Sequence, residues 1–258
     1  MESSYKPILF SAPKELPHVE IYFLHDIHVG DPNFDEKRFE RLKAEILSED
    51  NRYVVWIGDI LNNAIPGSKT EMFGQVLKPH QQKEWFCEQL FELDGRNVAV
   101  VPGNHEYNRS TRAAGLYPLY DCCARAQQEE IYRSEFAFIG VGVGARRKDP
   151  SQQVQYVGFC AHQAKDVKAY STADWIDGID WLAYGHDHDP KSHPRAKLVY
   201  DPAKKAVYQR DIEVVNSGSF LKYGGYGAKG GYRPQAAKMF KLQLSGGEKS
   251  CTSSSYSA

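Results

Sequence analysis

The sequence predicts an α/β fold built on a parallel sheet that is covered on both faces. Three short runs are apolar at nearly every position, and amphipathic segments with helical spacing separate them. Strands that are apolar on both faces and alternate with helices are typical of parallel sheets. The second half of the chain is richer in strand patterns, which predicts a second sheet packed on the first. With 258 residues the chain can bury a full core, as one large domain or two small ones.

The first half of the chain repeats the order strand, polar loop, helix. Each predicted strand ends at a polar cluster, and the helical segments carry apolar residues three or four positions apart. The predicted strands are 19–24, 53–57 and 97–101, and the predicted helices are 34–47, 79–93 and 112–128. Because function gathers at the carboxyl ends of the strands in such sheets, we expect these polar clusters to lie together.

The second half contains six predicted strands. They cover residues 136–143, 154–161, 181–184, 197–200, 207–215 and 238–244. Residues 1–244 are therefore predicted to form the folded domain. Residues 245–258 are rich in Ser and Gly with almost nothing apolar, which predicts a disordered tail. The Gly- and Tyr-rich segment 223–232 is either a flexible connector or a loop that faces the substrate.

Composition is that of an ordinary globular chain and argues against membrane and disulfide-rich classes. Apolar residues make up 41% of the sequence, and no apolar run approaches the ~20 residues that span a bilayer. The first residues lack the basic and apolar regions of a signal peptide, so we expect a cytoplasmic protein with no membrane partner. The five cysteines have no Cys-x-x-Cys spacing, which argues against a structural zinc site or a disulfide framework and predicts buried or incidental thiols.

Five polar clusters carry donors for metal ions. They are Asp26 with His28, Asp59 after Gly58, Asn104 with His105, His162, and His186 with His188. Mixed imidazole and carboxylate donors suit manganese, iron or zinc and do not suit calcium. Two such ions ~3.5–4 Å apart can hold a hydroxide between them and stabilise an in-line displacement at phosphorus. The pattern therefore predicts a dinuclear site that hydrolyses phosphoesters.

Other polar residues near these clusters are candidates for supporting roles. His105 directly follows Asn104, so it is expected beside the metals, where an imidazolium could protonate the leaving oxygen or neutralise phosphoryl charge. The weaker candidates for binding substrate phosphate, with solvated surface as the alternative, are Asn63, Lys69, Arg109 and Arg112.

The series of clusters resembles the calcineurin-like metallophosphoesterase superfamily. It comprises Asp26-x-His28, Gly58-Asp59, Gly103-Asn104-His105-Glu106, His162 and Gly185-His186-x-His188. The resemblance implies a four-layer α-β-β-α sandwich, two mixed β-sheets flanked by helices. It also implies that one ion is held by Asp26, His28, Asp59 and His188, and the other by Asp59, Asn104, His162 and His186, with Asp59 bridging. His105 matches the catalytic histidine of the family, and family habit favours manganese, with iron, zinc, nickel or magnesium as alternatives.

Two further residues of these clusters have open roles. His25 stands where many family members have a small residue, and it is either structural or an extra group beside the ligands. Asp187 lies between two donors and is expected to orient one of them or to face away. In size and motif style the chain resembles small uncapped members from bacteria and their phages.

The predicted function is metal-dependent phosphoester hydrolysis, with a phosphodiester favoured over a phosphomonoester. The substrate partner is a phosphoester, and a nucleotide, DNA or RNA, or a phospholipid head group are all compatible with the sequence. A nuclease should bind its polymer with steep salt dependence, unlike a nucleotide hydrolase or a phosphatase. A non-catalytic metal-binding scaffold is the alternative from a different class. The oligomeric state stays open.

Overall fold

Two mixed β-sheets form the centre of the fold. A computed structural model of the chain describes residues 3–68, 70, 72–162, 173–231, 233–236 and 238–257. The sheets pack face to face, with helices outside them. This arrangement confirms the predicted α/β class with two mixed sheets flanked by helices.

The five-stranded sheet carries the parallel strands predicted from the first half. Its members are β2 (His18–Leu24), β3 (Arg52–Ile57), β4 (Asn97–Val101), β11 (Met239–Ser245) and β12 (Cys251–Tyr256). Their order is β12-β11-β2-β3-β4, in which β2, β3 and β4 are parallel and the other two pairings are antiparallel. The parallel strands end at the same edge of the sheet, as the sequence predicted.

The seven-stranded sheet comes from the second half of the chain and from one N-terminal strand. Its members are β1 (Ile8–Ser11), β5 (Phe136–Val143), β6 (Val154–Ala161), β7 (Trp181–Tyr184), β8 (Lys191–Ser192), β9 (Arg195–Asp201) and β10 (Ala206–Asn216). The order is β1-β5-β6-β7-β10-β8, and β9 pairs with β10 as a hairpin. Since β6, β7 and β10 are parallel, their carboxyl ends also lie at one edge.

Helices, the three longest of which contribute to the apolar core on the outer face of the five-stranded sheet, complete the fold. They are α1 (Glu36–Leu47), α2 (Pro79–Glu92), α3 (Asn104–Glu106), α4 (Arg112–Ala114), α5 (Pro118–Arg125) and α6 (Gly225–Lys229), with a π-helical turn (Tyr107–Thr111) joining α3 to α4. The single helix predicted over 112–128 is wrong, because Gly115 adopts a left-handed φ of 67° that ends α4 and Pro118 starts a new helix. Among the described residues, no helix is both long and apolar enough to cross a membrane.

The strands bury apolar side chains on both faces. Along β2, Val19, Ile21 and Phe23 point into the core between the sheets, where Phe23 packs 5.5 Å from Trp181. The alternate residues Tyr22 and Leu24 face the helices. Successive side chains of a strand point to opposite faces, and both faces of β2 are buried, so its sequence is apolar at nearly every position. On the far side of the seven-stranded sheet, a third apolar cluster includes residues from segment 173–179.

The prediction of a disordered tail over residues 245–258 is wrong. Strand β12 pairs antiparallel with β11 from Leu244 opposite Cys251 to Met239 opposite Tyr256. The Tyr256 ring packs edge-on 5.3 Å from Tyr22, which anchors the strand in the helix-facing core. Backbone pairing tolerates serine, and β12 satisfies hydrogen-bonding groups that β11 would otherwise expose at the sheet edge. The folded part therefore extends past residue 244, and residue 258 lies outside the described residues.

The prediction that all cysteines are thiols is also wrong. Cys87 on α2 and Cys122 on α5 form a disulfide, with their Cα atoms 4.8 Å apart. The two residues are 35 positions apart, and only the packing of the two helices brings them together. Cys123 and Cys160 are buried thiols, as expected, and Cys251 is a partly buried thiol.

Candidate metal centre

The predicted donors meet where strands of both sheets end. Asp26 follows β2, Asp59 follows β3, Asn104 follows β4, and His162 follows β6. Three groups of donor atoms, each lying within 4.8 Å of one another, connect the loops: Asp26 with His28 and His188, His28 with Asp59 and His105, and Asp59 with His162 and His186. The parallel register of each sheet is the reason that residues so distant in sequence lie side by side.

The first group has the spacing of atoms that share one ion. His188 Nε2 lies 3.1 Å from Asp26 Oδ1 and 3.2 Å from His28 Nε2, and the third distance, from His28 Nε2 to Asp26 Oδ1, is 3.7 Å. Donors that bind a common ion at ~2.1 Å in tetrahedral or octahedral geometry are about 3.0–3.4 Å apart. The three side chains therefore fit a divalent transition metal with little rearrangement.

The second group is centred on Asp59. Its Oδ1 accepts a hydrogen bond from the backbone N–H of His105 at 2.7 Å, and its Oδ2 lies 3.2 Å from His162 Nε2. Gly103 packs directly on the Asp59 side chain and backbone, so a Cβ at this position would overlap the carboxylate. This contact explains why glycine precedes Asn104. Asp59 belongs to two of the three donor groups, and its role as a bridging ligand stays a prediction from the resemblance.

Several buried polar atoms at the centre lack a protein partner. Asp26 Oδ1, Asn104 Oδ1 and His162 Nε2 are buried and have no hydrogen-bond partner among the described residues. A buried unsatisfied polar group costs about 1–3 kcal/mol, so three together need a compensating ligand. His162 Nδ1 lies 2.7 Å from the Ile57 carbonyl oxygen, which only accepts, so Nδ1 carries a proton, and Nε2 offers a lone pair to a cation once the ring has released its second proton. All three atoms are donors suited to a cation.

The loops that carry the donors have strained backbones. Eight described residues other than glycine have positive φ, and six belong to this region: Asp26, His28, Asp59, Asn63, His186 and His188, with φ between 45° and 86°. Left-handed conformations cost about 1–3 kcal/mol at each non-glycine residue and persist only where the surroundings enforce them. The sharp turns direct consecutive donors toward one point.

Glu106 holds the backbone of the Asp59 loop through hydrogen bonds, a role that the sequence analysis did not assign. Its Oε2 accepts from the N–H groups of Asp59 (2.9 Å) and Gly103 (2.8 Å), and its Oε1 accepts from the N–H of Leu61 (2.9 Å). Burial, with a contribution from Asp59, raises the pKa of Glu106 to about 7, and the N–H groups of Leu61 and Gly103 oppose that shift. The sequence signal that could have indicated this role is the acidic residue three positions after Gly103, at a spacing that lets its side chain accept from the Gly103 N–H.

Opposite charges hold the centre together before a metal binds. Burial opposes ionisation of Asp59, yet His105 and His162 hold the pKa of this carboxyl well below its usual value. The pKa of Asp26 is likewise lowered against burial, chiefly by His188 and His162. Burial disfavours the imidazolium form of His162, but Asp59 and Asp26 raise its pKa to about 10. A metal must therefore displace protons from histidine.

His105 lies beside the donors and contacts Arg109. Arg109 Nη1 is 3.0 Å from His105 Nδ1 and also donates to the Asn62 carbonyl and to Thr70 Oγ1. A guanidinium only donates, so His105 Nδ1 accepts and its proton is on Nε2, on the side of Asp59 Oδ2 at 3.6 Å. Burial, with the charges of His28 and Arg109, lowers the pKa of His105 to about 3 against the pull of Asp59.

The weaker substrate-binding candidates differ in their placement. Arg109 reaches the site through His105, and the buried Asn63 donates its amide N–H to Ser110 Oγ. Arg112 is exposed on α4 and makes no hydrogen bond to a candidate ligand in the described part of the chain. Lys69 lies outside the described residues. Asp187 contacts Asn216 and Lys191 rather than a metal donor.

The segment 223–232 is described except for Tyr232 and contains α6. The backbone N–H of Lys222 donates to the carbonyl of Asn33, and the Asn33 side chain packs on Gly224 and Gly225. These contacts place the start of the segment beside the loop that follows His28, and both roles considered for it stay open.

Comparison with known proteins agrees with the geometry. A family model described as calcineurin-like phosphoesterase matches residues 21–190, well over half of the chain. The matched region begins in β2 and includes every predicted donor. The chain therefore belongs to the calcineurin-like phosphoesterase family, and the donor groups support a metal-dependent phosphoesterase. No curated protein matches the chain.

Proposed function

We propose that this protein is a dinuclear metal-dependent phosphodiesterase. The observation that carries the proposal is a set of buried donor atoms on Asp26, Asn104 and His162, which have no hydrogen-bond partner in the described part of the chain, at the edge where the histidine and carboxylate donor groups meet. One ion would be held by Asp26, His28, Asp59 and His188, and the other by Asp59, Asn104, His162 and His186. These donors are imidazoles, carboxylates and one amide, a set that suits manganese, iron or zinc.

The ions would supply electrophilic stabilisation of the phosphoryl oxygens and a nucleophile ionised near neutral pH. The chain's own residues position these ions and handle the leaving group. His28 Nδ1 lies 3.2 Å from His105 Nδ1, which accepts, so His28 donates there and keeps Nε2 for a metal. Manganese is our choice among the ions that fit, and nickel and magnesium are tested with it.

His105 is proposed to interact with the leaving oxygen through Nε2. While Arg109 donates to its Nδ1, the ring is neutral and acts as a hydrogen-bond donor. When Arg109 turns to a phosphoryl oxygen, Nδ1 can take a proton from solvent and donate a hydrogen bond to the Leu61 carbonyl oxygen 3.3 Å away, which ends the hydrogen bond that it accepts from His28. Bound phosphoryl charge favours this imidazolium, since a unit charge 4 Å away contributes about 4 kcal/mol at an effective dielectric constant of about 20. Such general acid catalysis typically contributes ~10²–10⁴-fold to rate.

The preference for a diester rests on His105 and on an open side of the centre. The His188 side chain is 32% exposed, whereas those of Asp26, Asp59 and His162 are buried. Ions bound at these donors would therefore be reached from the His186 and His188 side. An open approach leaves room for substituents on both ester oxygens, and His105 stabilises an alkoxide leaving group. A nucleotide or nucleic acid is compatible with this site.

The test is hydrolysis of bis-p-nitrophenyl phosphate and p-nitrophenyl phosphate by metal-stripped protein. Manganese, nickel, zinc, iron or magnesium is added back, and Asp59→Asn and His105→Ala are assayed beside the wild type. His80→Ala is the matched control, because His80 is exposed and far in sequence from any donor. We expect metal-dependent cleavage of the diester that both site variants reduce at least ~100-fold and the control retains.

Different results would redirect the assignment. Faster cleavage of the monoester would make the protein a phosphatase. Cleavage of DNA or RNA with steep salt dependence of binding would make it a nuclease. Two bound ions without turnover of either ester or of nucleic acid would refute the enzymatic proposal in favour of a metal-binding scaffold.

A further inference from the structure

His25 is fully buried and connects a candidate metal ligand to the opposite sheet. Its Nδ1 lies 2.7 Å from Asp26 Oδ2, and its Nε2 lies 3.0 Å from the backbone nitrogen of Ser217. Asp26 follows β2 of the five-stranded sheet, whereas Ser217 follows β10 of the seven-stranded sheet. The imidazole therefore spans the two sheets at the edge where the donors meet.

The two partners determine which ring nitrogen of His25 carries the proton. The Ser217 backbone nitrogen is a donor, so His25 Nε2 must accept. The proton of the neutral ring is then on Nδ1, which donates to the Asp26 carboxylate. This arrangement satisfies both nitrogens of a buried histidine, as burial of a polar side chain requires.

The hydrogen bond from His25 determines which oxygen of Asp26 faces the donor cluster. Oδ2 accepts from His25 and also from the backbone N–H of His186 at 2.8 Å. Oδ1 is left without a hydrogen-bond partner among the described residues and lies 3.1 Å from His188 Nε2. A carboxylate held at one oxygen cannot rotate, so the other oxygen stays directed at the histidines.

The segment 217–220 also holds the backbone of Asp26. The Asp26 carbonyl accepts from the Phe220 N–H at 3.1 Å and from Ser219 Oγ at 2.8 Å. Asp26 has a left-handed φ of 49°, so these bonds hold a conformation that the residue alone disfavours. The segment lies beyond residue 190, where the match to the family ends.

We propose that His25 is a positioning residue that orients the Asp26 carboxylate for metal binding by linking it to the segment 217–220. The proposal rests on the proposed dinuclear centre. Outer hydrogen-bond partners of metal ligands typically contribute ~10–100-fold to metal affinity. His25 belongs to none of the donor groups found among the described residues, so it would act on a bound ion through Asp26.

Two substitutions separate positioning from a structural role. In His25→Asn, the side-chain amide nitrogen takes the place of Nδ1 and can still donate to Asp26, but the side chain is too short for Ser217. In His25→Leu, the volume is similar and both hydrogen bonds are lost. Both variants therefore leave the Ser217 N–H unpaired, and they differ in the bond to Asp26. His18→Leu is the control, since His18 begins the same strand and contacts Asn51 instead of a donor.

The measurements are Mn²⁺ binding by titration calorimetry, ions retained after dialysis, and thermal unfolding with EDTA. We expect His25→Leu to lose ~10–100-fold in affinity at one of two sites, while His25→Asn and His18→Leu stay within about threefold of the wild type. Both His25 variants should unfold at similar, lowered temperatures without metal. Equal losses of affinity in both His25 variants, or wild-type affinity in His25→Leu, would overturn the positioning role.

The binding data are independent of turnover. A wild type that binds two Mn²⁺ ions and cleaves no ester would refute the proposed phosphodiesterase, and the His25 comparison would still decide the positioning role. A wild type that binds no ion would overturn both.

Discussion

Glu106→Gln tests whether one buried carboxylate holds the Asp59 loop in place. The substitution preserves size and removes charge, so its effect comes from the three hydrogen bonds that Glu106 accepts from backbone N–H groups and from relief of the buried charge. A glutamine can direct its oxygen to the N–H groups of Asp59 and Gly103, but its NH₂ then faces the N–H of Leu61. One hydrogen bond becomes a contact between two donors, and the other two lose their charge assistance.

The expected loss follows from these three bonds. Bonds to charged groups contribute about 1.5–3 kcal/mol and neutral ones about 0.5–1.5 kcal/mol, so two weakened bonds lose roughly 2 kcal/mol together. The unpaired Leu61 N–H costs about 1–3 kcal/mol more, so the hydrogen bonds lose about 3–5 kcal/mol in total. Removal of the charge offsets a substantial part of this loss, because the raised pKa of Glu106 means that its ionised form is disfavoured in the folded protein. We expect the free energy of unfolding to fall by about 1–3 kcal/mol, and the unfolding temperature to fall by roughly 2–12 °C.

The assay is urea unfolding at pH 8 with EDTA, followed by circular dichroism. This pH lies above the pKa of about 7 that burial gives Glu106, so the wild-type carboxylate is ionised, and EDTA removes any contribution from metal binding. Glu49→Gln is the control, because Glu49 is exposed. A Glu106→Gln protein within about 0.5 kcal/mol of the wild type, the usual range for neutral surface changes, would refute this account of the loop.

Three further outcomes are expected. In metal-free protein, the pKa of His162 is raised to about 10, so the stabilisation from its imidazolium is complete below pH ~6.5 and is lost as the pH rises through 10. His162→Gln should therefore reduce the decrease in the urea midpoint of unfolding between pH 6 and pH 10. A pH dependence of the midpoint equal to that of the wild type would contradict this. Reduction of the Cys87–Cys122 disulfide, which spans 35 residues, should lower the unfolding free energy by about 3–4 kcal/mol, whereas identical urea curves with and without dithiothreitol would exclude a stabilising bond. Deleting residues 251–258 should destabilise the protein and expose the β11 edge, measured as a lower unfolding temperature and faster aggregation, and a stable monomeric truncation would show that β12 is dispensable.

The positions of the donors could be predicted from the sequence because each follows a buried strand. The runs before Asp26, Asp59 and Asn104 are apolar on both faces, and parallel pairing then requires their carboxyl ends to meet. That conclusion did not require knowing which residues contact each other. The assignment of each donor to an ion stays a prediction from the family resemblance.

Features that depend on long-range packing could not be predicted in this way. Nothing in the residues around Cys87 or Cys122 indicates that α2 and α5 pack at that point. Strand β12 looks like a disordered tail, since its serines carry no apolar pattern and its order comes from the backbone of β11. The link from His25 to Ser217 joins residues 192 positions apart, and local sequence carries no sign of it.

The left-handed backbone of the donor loops has a consequence for attempts to evolve or engineer this protein. At Asp26, His28, Asp59, His186 and His188, glycine would adopt the observed φ without steric penalty. A screen that rewards only thermal resistance of the metal-free chain would therefore favour glycine at His186, where the backbone gain is not offset by charge pairs like those of Asp26 and Asp59, and would lose a residue that the proposed chemistry needs. Selection must be applied with metal present, because ions bound at the proposed centre would offset the free-energy cost of these conformations. In these loops, sequences selected for stability and sequences selected for activity would therefore differ at the donor positions.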